Sequence, residues 1–289
     1  MMRFTKYAAV IAAAGALVLA GCSGGGAAAP EEPTVNEEAT FEAGTTMAKL
    51  HDAGKITVGT KFDQPLFGLM GLDGTPVGFD VEVAKIIAGG LGIDPANIEW
   101  VEAVSANREP FIENGEVDIV VATYTINDKR KEVVSFAGPY YIAGQDLLVL
   151  SGNPDSIKGI DDVKGKKVCS VTGSTSAQNL KDAGVEVIET DTYSNCLTPL
   201  RQGEVVAVST DNVILAGLAD QNPGEFEVID NTFTEEPYGI GLKKDDTDFR
   251  NFINDTLEKS FEDGSWAKAW ESTAGKVLST PTPPTLDRY

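Results

Sequence analysis

The chain has 289 residues, a formal net charge of −21, three cysteines and a single histidine. This excess of acid argues against nucleic acid and anionic lipid surfaces as partners, because both carry negative charge. One histidine excludes most catalytic triads and, with so few cysteines, makes a Cys/His metal site implausible. The charge does not argue against a small acidic ligand, because a local cationic pocket can lie inside an acidic surface.

The N-terminus has the pattern of an export signal. Arg3 and Lys6 precede an apolar run, Ala8 to Ala20, which is too short to span a membrane comfortably. The run ends in Leu-Ala-Gly directly before Cys22, which resembles a bacterial lipobox. We therefore expect residues 1–21 to be cleaved and Cys22 to be lipidated, holding the protein at the outer face of the cytoplasmic membrane. The alternative is an ordinary secretory signal followed by an unrelated cysteine.

Two segments lack the periodicity of a helix or a strand. Residues 22–44 are rich in Gly, Ala, Pro and Glu and are predicted to be a flexible tether. The tail 279–289 contains three prolines and is predicted to be irregular. Between these segments lie roughly 235 residues, enough for two compact lobes.

Strand and helix patterns alternate along the rest of the chain. This alternation predicts an α/β fold with mostly parallel sheets. The last two helices carry Trp266 and Trp270, which we expect to pack inward. Strands are predicted at 56–60, 98–101, 117–122, 147–150, 168–171, 185–188 and 205–208, and helices at 47–53, 81–91, 107–114, 175–183, 195–202, 246–264 and 265–272.

Polar residues follow several of the predicted strands. The segments "NGEVDIVVATYT" from Asn114 and "QGEVVAVSTDNV" from Gln202 both show a buried strand followed by hydroxyls. In "VCSVTGSTSAQ", from Val168, a strand, a hydroxyl-rich turn and a helix start follow one another, which is how a chain builds an anion site. No Gly-Lys-Ser/Thr follows, so this is not a nucleotide-binding P-loop. Ligands of open α/β sheets bind beyond the carboxyl ends of strands, so two lobes with facing strand ends predict a cleft.

Cys169 and Cys196 remain once Cys22 is assigned to lipidation. An exported protein favours pairing them. A disulfide between them would stabilise the fold by about 3 kcal/mol in the chain-entropy model. The alternative is two free buried thiols.

Two blocks of sequence resemble a known family. "GFDVEVAKIIAGGL" from Gly78 and "DIVVATYTINDKRKEVVSFAGPYY" from Asp118 resemble the signatures of solute-binding protein family 3, the polar amino-acid receptors of ABC importers. "VGTKFDQP", "CSVTGSTSAQ" and "YGIGLKKDD" are similar to stretches of the glutamate-binding lipoproteins of actinobacterial uptake systems. The resemblance spans residue 45 to about residue 274.

The resemblance implies the two-lobe α/β fold of type II periplasmic-binding proteins, with two hinge strands and a ligand cleft between the lobes. Lobe 1 would comprise residues 45–143 and 240–275, and lobe 2 residues 144–239, with crossings near 144–150 and 231–238. The family implies a monomer without cofactor or catalysis that delivers its amino acid to ABC permease subunits.

The resemblance also implies how the α-carboxylate of an amino acid is held. Arg130 would clamp it, because a guanidinium forks onto both carboxylate oxygens. Thr125 and the backbone of Thr123 would lie beside Arg130. Ser174 and Thr175 would donate from the other lobe, at a helix N-terminus whose dipole favours an anion. The turn before Arg130 departs from the family pattern, since Asn-Asp-Lys replaces Thr-Pro-Glu.

For the rest of the ligand, Asp211 matches the family's acceptor for the ammonium group. Lys61 and Arg108 resemble the basic positions that bind the side-chain carboxylate in glutamate and aspartate receptors. Two further buried cations would be costly around a neutral ligand. Either could alternatively be a solvated surface charge. Tyr193 aligns loosely with another side-chain contact. Glutamate is the expected ligand; a preference for aspartate, glutamine or asparagine remains open.

Three residues of the first signature block are not assigned to the ligand site. Glu82 is interpreted as structural or surface-exposed, and Phe79 as a packing residue. Asp80 is not expected to contact ligand.

Two other functions remain as alternatives. An enzyme on the same fold, such as a dehydratase, would need an acid or base aimed at its substrate. A sensory binding domain is disfavoured as part of a receptor, because nothing after residue 274 resembles a transmembrane span or signalling module. A detached sensor lipoprotein would look the same in sequence.

Overall fold

The computed structural model describes residues 33–289, and the elements below are those of this part of the chain. The helices and strands alternate as expected, and three short strands between residues 63 and 77 add a small sheet to the prediction. The strands are β1 Ile56–Thr60, β2 Asp63–Gln64, β3 Gly68–Met70, β4 Pro76–Val77, β5 Ile98–Glu102, β6 Ile119–Val120, β7 Ser135–Ala143, β8 Gln145–Leu150, β9 Lys167–Val171, β10 Glu186–Thr190, β11 Ala207–Asp211, β12 Phe226–Val228 and β13 Glu236–Leu242. The helices are α1 Thr46–Ala53, α2 Phe79–Gly90, α3 Arg108–Asn114, α4 Asp128–Lys131, α5 Thr175–Asp182, α6 Leu197–Arg201, α7 Asn212–Gln221, α8 Thr247–Asp263 and α9 Ser265–Ser272.

Two five-stranded sheets form the centres of the two lobes. The sheet of lobe 1 has the order β5-β1-β6-β13-β7, and that of lobe 2 the order β10-β9-β11-β8-β12. In each sheet the first three strands are parallel and the last two pair antiparallel to their neighbours. The sheets are therefore mixed, because one strand in each, β13 in lobe 1 and β8 in lobe 2, runs against the other four.

An aromatic core fills the space between the lobe 1 sheet and its helices. Phe79, the first residue of α2, is fully buried and meets Trp266 and Trp270 edge-on at 5.7 and 5.1 Å between ring centroids. Both tryptophans lie inside, as the sequence predicts, and Trp270 stacks on Tyr141. This packing holds α2 and α9 on the sheet that carries one wall of the cleft.

The chain crosses between the two sheets twice. It leaves β7 through Gly144 into β8, and it returns between β12 and β13. β13 pairs with β7 from Glu236 onward, so residues 236–239, which were expected in lobe 2, are paired with a strand of the lobe 1 sheet. With this change, we propose lobe limits of 45–143 plus 236–275 and of 144–235.

The predicted disulfide between Cys169 and Cys196 is confirmed, with Cα atoms 5.6 Å apart. It joins β9 to the turn before α6, so it links two elements of lobe 2. The alternative of two free thiols is thereby excluded.

The segment before α1 differs from the flexible tether that its composition predicts. The Asn36 amide donates to the Gly89 carbonyl at 2.9 Å, and the Phe41 ring packs edge-on against Phe252 at 5.4 Å. Burial of the few apolar groups in this segment fixes residues 33–44 to α2 and α8. The remainder of the predicted tether, the signal at 1–21 and Cys22 lie outside the described residues.

The C-terminal tail carries no helix or strand over residues 279–289, as predicted, yet it is held along lobe 1. The Asp287 amide donates to the Gly138 carbonyl at 2.7 Å, and the Tyr289 hydroxyl accepts the Phe136 amide at 2.9 Å. Lys131 forms an ion pair with Asp287 at 2.8 Å. Because β7 is an edge strand, the tail occupies backbone groups that would otherwise be open to another strand.

Within residues 33–289, no helix is both long enough and apolar enough to cross a lipid bilayer. The same part of the chain contains no group of three or more His, Cys, Asp or Glu residues placed to hold a metal ion.

Candidate functional site

A small cavity lies between the two lobes, where strands of both sheets end. Seven of the nine predicted ligand-contacting residues line it, and Lys61 and Arg130 do not. A larger groove between residues 33–38 and α8 is open to solvent and contains none of the nine. The lining of the interlobe cavity is Ser105, Arg108, Thr123, Thr125, Ser174, Thr175, Ser176, Tyr193, Thr210, Asp211 and Ile214.

The hydroxyl-rich turn after β9 caps helix α5. The Ser174 hydroxyl accepts the Ala177 amide at 2.9 Å and donates to the Val171 carbonyl at 2.7 Å, while the Thr175 hydroxyl donates to Glu236 at 2.9 Å. Both hydroxyl protons are thus engaged within the protein. The first-turn amides, which lack intrahelical partners, are the donors that a helix N-terminus offers to an anion.

Arg130 lies on the short helix α4, whose N-terminus Asn127 caps by accepting the Arg130 amide. The buried guanidinium donates to the carbonyls of Thr125 at 2.7 Å and Gly173 at 3.2 Å, and its Nε to Glu109 at 3.1 Å. Gly173 belongs to lobe 2, so Arg130 bridges the cleft. Burial, and then the neighbouring Arg108, lower the pKa of Arg130 to about 10, which leaves it charged at neutral pH.

Lys61 and Arg108 are both only 3% exposed, which excludes the alternative that either is a surface charge. Lys61 Nζ donates to the Ser105 hydroxyl at 2.9 Å. Arg108 donates to the Ala122 carbonyl at 3.2 Å and lies 4.3 Å over the Tyr124 ring. Burial, and then the charge of Arg108, lower the pKa of Lys61 to about 7. Lys61 is therefore only partly protonated at neutral pH, and an incoming carboxylate would favour its charged form.

Asp211 ends β11 and is 3% exposed. Its Oδ2 accepts the Tyr238 hydroxyl at 2.6 Å, but its Oδ1 has no hydrogen-bond partner among the described residues. Burial, and then the nearby Glu236, raise the pKa of Asp211 to about 7. A buried carboxylate oxygen without a partner is costly, and an ammonium group at this point would supply the missing donor.

Several residues that support the site were not predicted. Asp80 is fully buried and accepts the Thr123 amide at 2.7 Å and the Tyr140 hydroxyl at 2.6 Å. The Thr123 hydroxyl donates to Gln64 at 2.9 Å. Asp80 does not line the cavity, but its hydrogen bond to the Thr123 amide fixes the backbone of the turn that does. An acid placed between apolar residues of α2 was the only signal for it in the sequence.

Glu82, expected to be structural or at the surface, is buried at 5% exposure and pairs with Lys85 at 3.0 Å. It therefore belongs to the structural framework of α2. Phe79 packs in the aromatic core, as expected.

Glu236 is a second unpredicted acid at the cleft. It is 2% exposed at the start of β13 and accepts the side chains of Thr175, Asn179 and Thr234, at 2.9, 3.3 and 2.8 Å. Asn179 also donates to Gln145, the first residue of β8. This network ties the return crossing to α5, and no local sequence pattern announces it.

The arrangement has the properties of a binding site for a small zwitterion. Lys61, Arg108 and Arg130 provide buried positive charge, and Asp211 provides a carboxylate oxygen that lacks a donor. A two-lobe α/β protein with such a cavity at the strand ends belongs to the class of solute receptors that enclose their ligand between lobes.

Comparison with known proteins agrees with this class. The family model of the bacterial extracellular solute-binding proteins, family 3, matches residues 56–274, and the chain belongs to this family.

Relatives with different ligands are similar to the chain. A glutamate-binding protein of Corynebacterium efficiens is 41% identical over 285 residues, covering 94% of this chain and 92% of that protein. The glutamine-binding protein of an ABC transporter of Bacillus subtilis is 37% identical, covering 91% of this chain and 94% of that protein. Among solved structures, an ancestral arginine-binding protein bound to arginine is 39% identical with a TM-score of 0.71, covering 76% of this chain and 98% of that one.

Proposed function

We propose that this protein binds L-glutamate in the interlobe cavity and delivers it to the membrane subunits of an ABC importer. The observation that carries the proposal is the carboxylate oxygen of Asp211, unpartnered within residues 33–289, in a cavity that Arg108 also lines, with Arg130 near enough to act on Asp211 and Lys61 bonded to the lining residue Ser105. Glutamate carries one ammonium and two carboxylates, so its charges complement this set. The similarity to glutamate-binding relatives supports the same ligand.

The proposed pose divides the ligand between the two lobes. The α-carboxylate lies between Arg130 and the first turn of α5, where a guanidinium and backbone amides can both donate. The ammonium faces Asp211. The side-chain carboxylate points toward Lys61 and Arg108, and Tyr193 covers it from lobe 2.

Glutamine is the second candidate, and one observation favours it. The pKa of Lys61 is lowered to about 7, so near neutral pH a sizeable share of this lysine is a neutral amine. A neutral amine donates to an amide oxygen without leaving a charge unpaired. The similarity to a glutamine-binding relative is consistent with this candidate.

We further propose that the role is binding without catalysis, and that Cys22 anchors the mature chain to the outer face of the cytoplasmic membrane. The Ser174 and Thr175 hydroxyls and the Arg130 guanidinium are held in hydrogen bonds and an ion pair within the protein, which suits a binding role. Incorporation of a labelled fatty acid into wild type, but not into Cys22→Ser, would support the anchor. Equal labelling of both proteins would contradict it.

Calorimetric titration tests the ligand directly. Protein that is unfolded, stripped of ligand and refolded is titrated in parallel with L-glutamate, L-glutamine, L-aspartate and L-asparagine. We expect glutamate to bind at least about tenfold more tightly than glutamine, a difference of about 1.4 kcal/mol. Tighter binding of glutamine would replace the first candidate by the second, and no binding of any of the four would contradict both.

A further inference from the structure

The small sheet of lobe 1, formed by β2, β3 and β4, touches lobe 2 at two points outside the ligand cavity. At the first, the Asp63 carboxylate accepts the amides of Tyr193 and Ser194, at 3.0 and 3.5 Å. These amides begin the helical turn that contains Cys196, which the disulfide fixes to β9. A charged acceptor on backbone donors makes a stronger hydrogen bond than a neutral pair.

At the second point, helix α7 of lobe 2 lies directly against the backbone of lobe 1. A β-carbon added at Gly217 would lie 2.5 Å from the Pro65 carbonyl oxygen. Gly217 is a helical residue without a positive φ, so its backbone conformation does not require glycine. The close approach of Pro65 is what leaves no room for a side chain here.

We infer that Asp63 and Pro65 of lobe 1, with Tyr193, Ser194 and Gly217 of lobe 2, form a clasp that holds the cleft closed over its ligand. Asp63 is then a positioning residue, since it is not part of the cavity lining and holds the backbone of Tyr193, whose ring does line it. The clasp contacts exist only while the lobes are together. They must break before the ligand leaves, so they govern release more than capture. A test of the clasp by ligand release rests on the proposed function, because it requires that the protein binds L-glutamate.

Stopped-flow measurement of L-glutamate binding separates these two rates. We expect Asp63→Ala to raise the dissociation rate constant about tenfold and to change the association rate constant less than about twofold. The matched control is Asp73→Ala on the same small sheet, because the Asp73 carboxylate accepts the Thr75 amide within its own turn. We expect wild-type rates from this control. An Asp63→Ala dissociation rate within about twofold of wild type would overturn the clasp.

The charge of Asp63 partly opposes the lowering of the Lys61 pKa, so a second variant without a charge change is needed. Alanine is a better helix former than glycine, so Gly217→Ala should not lower the melting temperature of the ligand-free protein. Its β-carbon should nevertheless keep the lobes apart and weaken glutamate binding at least about tenfold. Unchanged affinity, or a melting temperature that falls together with affinity, would contradict the assignment of Gly217.

Hydrogen exchange at the amides of Tyr193 and Ser194 tests the clasp without depending on the identity of the ligand. We expect slower exchange in wild type and Asp73→Ala than in Asp63→Ala, both with saturating L-glutamate and, to a smaller extent, without it. Equal exchange in all three proteins would overturn the clasp. If wild type binds no glutamate but the exchange difference persists, only the proposed function fails.

Discussion

The two lobes build their walls of the cleft by different means. Lobe 1 supplies Lys61, Arg108 and Arg130, and each cation already has acceptors in the protein or lies over the Tyr124 ring. Lobe 2 supplies the first turn of α5 and Asp211, whose Oδ1 has no partner among the described residues.

The cations of the lobe 1 wall thus have partners within the protein, whereas Asp211 in the lobe 2 wall has a carboxylate oxygen that lacks one in the part of the chain that the structure describes. The cations of lobe 1 are held in place by hydrogen bonds, so little side-chain entropy is lost there when a ligand arrives. The missing donor at Asp211 gives the ligand ammonium a specific partner on lobe 2. Ligand binding should therefore favour the arrangement in which lobe 2 lies against lobe 1.

The largest effect is expected from breaking the lobe 1 wall at Arg130. Arg130→Lys keeps the charge but loses the planar fork that reaches Thr125 and Gly173. We expect glutamate affinity to fall about a hundredfold by calorimetry. Lys129→Ala, an exposed change on the same helix, is the control and should bind as wild type. Tight binding by Arg130→Lys would remove Arg130 from the site.

The lobe 2 wall should respond to Asp211→Asn with opposite effects on binding and stability. Loss of the charge facing the ammonium should weaken glutamate binding about thirtyfold. The pKa of Asp211 is raised to about 7 on folding, so the ionised carboxylate costs stability once pH exceeds its unfolded value. At pH 8 we expect the free energy of unfolding to rise by about 1–3 kcal/mol in urea titrations. Lower stability in this variant would show that Asp211 stabilises the fold.

Lys61→Met tests whether the lobe 1 wall selects the acid over the amide. Removing the cation should weaken glutamate binding about tenfold and change glutamine binding by less than about threefold. The side chains are similar in length, so packing around Ser105 should change little. Parallel calorimetric titrations with both ligands give the ratio. An equal loss for both ligands would show that Lys61 does not select the acid over the amide.

The smallest expected effect is a dependence of glutamate affinity on pH, to which Lys61 of the lobe 1 wall and Asp211 of the lobe 2 wall both contribute. The ligand carboxylate favours protonated Lys61, whose pKa is about 7 without ligand, so affinity should fall as pH rises above 7. The ligand ammonium favours ionised Asp211, whose pKa is also about 7, so affinity should fall as pH drops below 7. A maximum near neutrality, with the alkaline decline missing in Lys61→Met, is the expected calorimetric result. A flat profile from pH 5 to 9 would contradict both roles.

The sequence predicted most of the elements whose pattern is local. It failed for α7, because "NVILAGLADQ" is apolar on nearly every face and starts immediately after β11. It also gave no strand at β7 and placed the start of β13 in a crossing, since Gly138-Pro139 and Pro237 break the usual strand pattern. Pairing between these two strands, nearly a hundred residues apart, decides their structure.

Prediction of the site from local sequence is limited in the same way, by contacts between residues far apart in the chain. Family motifs located seven of the residues that line the cavity but not Ser105, Ser176, Thr210 or Ile214. The hydrogen bonds that the located side chains make depend on partners distant in sequence. The Thr175 hydroxyl is directed to Glu236 and the Asp211 carboxylate to Tyr238, and neither partner could be predicted from a neighbouring residue.

Both described ends of the chain are fixed to the same lobe. Residues 33–44 lie on α2 and α8, and the tail from Leu286 to Tyr289 lies on β7 and α8. A surface or a fused protein attached next to residue 33 or to Tyr289 would therefore be joined to lobe 1, and lobe 2 would move relative to it. A C-terminal fusion would also disturb the hydrogen bond between the Phe136 amide and the Tyr289 hydroxyl. A reporter of cleft motion therefore belongs on an exposed position of lobe 2.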